Sequence, residues 1–129
     1  VSETELYYHS EVDVPWPAAD RDYIFHLNMQ QDTITRTIHM TLEEIPDFIP
    51  KKEGVVRVPY AKSLLTLTAL GPETVSVRYE LDVDPGGEVP AWLVNMFAAN
   101  TPYNTYINFR DQIIEQGLNR QEVDFILNY

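Results

Sequence analysis

Between residues 74 and 84 every second side chain is apolar: Val75, Val77, Tyr79, Leu81 and Val83 alternate with Ser76, Arg78, Glu80 and Asp82. Strict period-2 alternation over that length is the signature of a strand with one oily and one wet face. The same period runs through residues 21–30, where Arg21, Tyr23, Phe25, Leu27 and Met29 share one side and Asp22, Ile24, His26, Asn28 and Gln30 the other. It returns at 6–14, with Leu6, Tyr8, Ser10 and Val12 opposed to Tyr7, His9, Glu11 and Asp13. A sheet therefore dominates the front of the chain. In the 21–30 strand the oily row carries a guanidinium at its end, so what Arg21 faces is a question from the outset.

Punctuation between the strands is explicit. Pro15 and Pro17 deny backbone donors and push their neighbours extended, making a corner before Arg21. Gln31-Asp32 reads as a tight connection into a strand Thr33–Leu42, with Arg36 set among Ile34, Ile38 and Met40 and expected to snorkel outward from an edge. Residues 43–54, EEIPDFIPKKEG, read as a long loop with an apolar tip of Ile45, Phe48 and Ile49. The stretch 55–70 is a long strand bent near Pro59 and Lys62, and the GPE turn at 71–73 leads into 74–84.

After Pro90 the period changes. Apolar positions 89, 92, 93, 96, 97, 103, 106, 107, 109, 113 and 114 follow helical spacing, with Pro102 as an expected kink. Asn119 with Glu122 resembles a capping box for a short second helix. Consecutive hairpins followed by one long helix make an α+β chain in which a curved antiparallel sheet wraps the helix.

Composition narrows the chemistry. Twenty acidic against nine basic residues give a net charge of −11, which repels nucleic acid. No apolar run approaches the ~20 residues of a membrane-spanning helix. The chain has no cysteine, hence no thiolate nucleophile, disulfide or Cys-based metal site. His9, His26 and His39 lie on separate strands without ligand spacing, so neither metal nor cofactor is expected. Asp20 and Asp22, beside a turn and an arginine, read as capping and pairing residues, and Ser63 lacks a nucleophile elbow. No catalytic pair stands out.

Three stretches then combine: PWPAADRDYIF at 15–25, IPKKEGVVRV at 49–58 and VDPGGEVPAWLVN at 83–95. Together they resemble the START (steroidogenic acute regulatory protein-related lipid transfer) domain family, over about residues 3–115. The resemblance implies a helix-grip fold (START/Bet v 1-like) with an internal tunnel for one lipid or sterol. It implies that residues 1–116 match the C-terminal portion of the domain, with the N-terminal part missing and 117–129 a short helical tail. It also implies that Arg21 faces the tunnel, where the family pairs it with an acidic residue from the missing part. On this reading the ligand contacts are Arg21, Tyr8, Tyr23, Phe25, Met29, Tyr79, Trp92, Met96, Tyr103 and Ile107. Ile45, Phe48 and Ile49 form a lid.

The function so implied is non-enzymatic binding, for transfer or sensing. The alternative is an aromatase, cyclase or hydrolase of the helix-grip superfamily using the same cavity. Expected partners are a lipid or sterol and, in passing, a membrane, with the cytoplasm the favoured compartment. An open sheet edge leads to the further expectation of a dimer, swapped or otherwise.

Overall fold

The computed structural model describes residues 4–72, 74–115 and 126, without the side chains of residues 93, 96, 97 and 99–102. The expected second helix and tail, apart from Ile126, lie outside the described residues. Two compact units divide after Gly87, the first built on a sheet and the second, Glu88–Val123, on a helix.

The strands are β1 (Glu5–Val12), β2 (Arg21–Gln31), β3 (Ile38–Glu44), β4 (Val56–Arg57), β5 (Tyr60–Gly71) and β6 (Thr74–Asp84). Their order is β1-β2-β3-β5-β6, all neighbours antiparallel, while β4 pairs with β2 in parallel. Registers carry the sequence alternation across every pair. Leu6 and Tyr8 stand opposite Leu27 and Phe25, Met29 opposite Met40, Leu65 opposite both Met40 and Tyr79. Because side chains alternate, these matches assemble a single apolar face over five strands.

The antiparallel sheet is curved.

Two sequence expectations need correction. Residues 33–37 are not strand, 33–35 forming a turn and 36–37 an irregular link: the Asp32 carboxylate accepts from Ile34 N and Thr35 N, each at 2.8 Å, and Arg36 has φ 58°. An Asx turn satisfied in this way competes with strand pairing and overrides the β propensity of the threonines. Arg36 is thus a turn residue, and β3, which begins at Ile38, is an interior strand and not an edge. The stretch 55–70 is two strands, split where Pro59 lacks the ladder donor. The fully buried apolar side chains among the described residues are Ile24, Val58 and Ala61, clustered at the β4 end rather than spread over the apolar face.

The helix, α1 (Ala91–Glu115), runs as one element through Pro102. Pro90 stands just before it, where a missing donor costs nothing.

Candidate functional site

The apolar face gathers the predicted sheet residues. Tyr23 and Phe25 stack at 5.3 Å with 12° between planes, and Tyr8 leans on Phe25 at 5.4 Å. Tyr8, Tyr23, Phe25 and Met29 are half-buried, and Tyr79 is exposed. Burial pushes the phenols of Tyr8 and Tyr23 up, so both stay neutral hydrogen-bonding groups in an oily setting. Glu44 closes the β3 end of this face, opposite Phe25, with its carboxylate accepting from Ile24 N at 3.0 Å. Burial raises its pKa.

Arg21 ends the row and is 4% exposed. Its guanidinium donates to Ala19 O and, at 3.3 Å, to Gly86 O. Among the described residues no carboxylate lies within ion-pair distance of it. Gly86 is required where it stands. Its φ is +66°, and a Cβ there would come within 2.7 Å of the Pro59 ring. Asp84 Oδ1 fixes the turn by accepting from Gly86 N at 2.9 Å.

The next residue behaves differently. Asp22 points to the opposite face, 1% exposed, and receives a two-pronged Arg57 guanidinium, Nε to Oδ1 at 2.9 Å and Nη2 to Oδ2 at 2.8 Å. His9 Nε2 adds a contact to Oδ2 at 3.2 Å. The Arg57 guanidinium holds the Asp22 carboxyl below the usual carboxylate range against the opposing effect of burial, and Asp22 in turn raises Arg57. The remaining Arg57 donors bind the carbonyls of Pro46, Ile49 and Pro50, so one buried cation organises the 45–50 loop. Sequence reasoning did not single out Arg57. A signal was there: a lone cation at the centre of the apolar run VVRVP, where only a buried partner could hold it.

Phe48, Ile45 and Ile49, the residues of the expected lid, take separate places. The Phe48 ring stacks on Tyr7 at 5.3 Å, and Tyr7 stacks on His26 at 4.5 Å. Tyr7 and His26 oppose each other on the face away from Tyr8 and Phe25, so Phe48 belongs to the back of the sheet. Ile45 is half-buried and donates its N–H to Ile24 O at 2.8 Å, and Ile49 is exposed. The same back face carries a groove of about 350 Å³ lined by His26, Asn28, Thr41, Glu43 and Lys62, whose two charges pair with each other.

On the helix, Trp92 and Tyr103 are exposed and Ile107 is half-buried, while the Met96 side chain lies outside the described residues. Among the described residues no three His, Cys, Asp or Glu side chains form a metal-binding group, and no helix is long and apolar enough to cross a membrane.

No protein-family model matches the sequence. An uncharacterized protein of Pseudomonas aeruginosa is 33% identical over 102 residues, covering 79% of this chain and 50% of that protein. The phosphatidylcholine transfer protein of Mus musculus is 32% identical over 103 residues, 77% of this chain and 48% of that protein. The chain thus spans about half the length of these relatives. Among solved structures, a STAR-related lipid transfer protein fragment from Xanthomonas axonopodis superposes with a TM-score of 0.75 at 31% identity, over 88% of this chain and 63% of that one. Human STARD10 superposes with a TM-score of 0.67 at 18% identity, over 89% of this chain and 49% of that one, and speaks for the fold alone.

Proposed function

Because the chain belongs to the START family of lipid transfer domains, we propose that it binds a lipid, without chemical turnover, and holds it against the apolar face of the sheet. The observation that carries this reading is the combination on one face of Tyr8, Tyr23, Phe25 and Met29, none fully buried, with a buried cation at the end of the row that lacks a described carboxylate.

Affinity would come chiefly from desolvation, about 0.8 kcal/mol for each CH₂ removed from water. Arg21 sets orientation by donating to a phosphate, carbonyl or hydroxyl oxygen of the head, with the neutral phenols of Tyr8 and Tyr23 as secondary donors. The phosphatidylcholine transfer proteins among the relatives make a phospholipid the first ligand to try. Non-enzymatic binding is favoured over catalysis because Asp22, the most deeply buried carboxylate described, is fully engaged by Arg57 and His9 on the opposite face.

Native mass spectrometry of the purified protein, with transfer of a fluorescent phosphatidylcholine between vesicles, tests the proposal. A co-purified lipid displaced by the added one is the expected result. A lipid-free protein that accelerates no transfer overturns it.

A further inference from the structure

On β3 the residues that share the apolar face are Ile38, Met40, Leu42 and Glu44, the last three opposite Met29, Leu27 and Phe25. Three of the four are oily. A carboxylate that continues such a row, half-buried as Glu44 is, is costly unless something engages it.

Part of its engagement is local. β3 leaves β2 after Glu44, and β4 takes up the same flank only at Arg21 and Asp22. In the interval Ile24 O accepts from Ile45 N, while Ile24 N donates to the Glu44 carboxylate at 3.0 Å to Oε1 and 3.1 Å to Oε2. One donor does not fill a carboxylate, which offers about four lone-pair sites. Among the described residues no lysine, arginine or histidine lies within ion-pair distance of it. Arg57, His9 and Asp22 act on it electrostatically from the back, but these three are bound to one another. On the front, the Tyr23 phenol feels both Arg21 and Glu44. From Arg21 to Phe25, the residue opposite Glu44, is four steps of strand, roughly 13 Å. The oily wall thus carries two separated polar points of opposite appetite: a guanidinium seeks acceptors, a carboxyl seeks donors.

Resting on the lipid-binding reading above, we infer that Glu44 is a specificity-determining residue of that site, accepting a hydrogen bond from an O–H or N–H of the bound lipid. Ionised or neutral, the carboxyl keeps acceptor oxygens for this role. The ligand so selected carries an acceptor oxygen for Arg21 and a donor for Glu44. A primary amine head or a free hydroxyl supplies that donor, whereas a quaternary ammonium or an etherified hydroxyl has none to give. A site built to receive a donor discriminates against the analogue lacking it, because its own polar group is then left unpaired.

Displacement of a fluorescent lipid tests this with pairs that differ in the donor: phosphatidylethanolamine against phosphatidylcholine of the same chains, and cholesterol against its methyl ether. In one pair the donor-bearing member should displace at about tenfold lower concentration, and which pair does so tells amine from hydroxyl. Glu44→Leu should bring that ratio to about one, while Arg21→Met should weaken both members and keep it. In case the leucine variant fails to fold for want of an acceptor at Ile24 N, Glu44→Gln keeps one amide oxygen there and turns an NH₂ toward the ligand. Its ratio should likewise approach one. Equal displacement within both pairs by the native protein overturns the inference and leaves lipid binding standing. A tenfold ratio that survives the substitutions at 44 also overturns it, since the acceptor is then another group. Displacement by none of the four lipids overturns the lipid-binding reading and this inference with it.

Discussion

Arg21 and Asp22 are adjacent in sequence, both deeply buried and oppositely charged, yet the two faces of the sheet treat them differently. On the back, Asp22 is enclosed by Arg57 and His9, and the same guanidinium ties down three loop carbonyls. On the front, Arg21 has two carbonyls and a row of aromatics. A buried charge with every partner in place is architecture, because altering it strands its neighbour. A buried cation satisfied only by neutral oxygens keeps attraction for an anion or polar head. On the proposed function, the contrast separates a structural end from a ligand-facing end within one dipeptide.

The sharpest way to break that contrast is to empty the back. Asp22→Asn leaves Arg57 buried without its countercharge and should cost about 3–5 kcal/mol in chemical denaturation. A loss under about 1 kcal/mol would mean that the back network is not structural. Arg21→Met should cost less, about 1–3 kcal/mol for stranded acceptors. Its main effect should be on the ligand, with lipid affinity reduced roughly tenfold in a transfer assay. If both variants lose only stability and bind lipid normally, the front cation is structural too.

Gly86→Ala, which forces a side chain into φ +66° and onto Pro59, should cost about 1–2 kcal/mol from backbone conformation alone and disturb the carbonyl that receives Arg21. Phe48→Ala should be the mildest, under about 1 kcal/mol, with lipid transfer unchanged because the ring lies on the back.

Acid titration sharpens the same comparison. Asp22 has a lowered folded pKa, so its stabilisation is complete above the unfolded range near about pH 4 and is lost as pH falls through the folded value. Glu44 has a raised one, through burial, so it erodes stability as pH rises from about 4 through its folded value. Thermal melts from about pH 3 to 8 should show Asp22→Asn flattening the acid limb and Glu44→Gln flattening a decline on the neutral side. Interchanged effects would reverse the assignment of the two carboxylates.

Much of this was legible in residue order. Alternation at 21–30 and 74–84 named both the strands and their oily side, because a period of two leaves no freedom over which residues share a face. The proline corner and the helix after Pro90 were equally plain. What failed was local competition and distance. The β-rich letters of 33–37 yielded to the Asp32 carboxylate, a contact worth more there than propensity. The Arg57 pairing and the Phe48 stack were not legible because their partners, Asp22 and Tyr7, lie 35 and 41 positions away, beyond any periodic signal.

The alternation of Arg21 and Asp22 also restricts how the gene can change. Inserting or deleting a single codon that shifts the face of residues 21 and 22 would exchange the two ions, driving a carboxylate into the greasy front and a guanidinium against Arg57 behind. Length variation in descendants of this sequence should accordingly collect in 13–20 and 32–37, where no such penalty applies, and spare the strand between them.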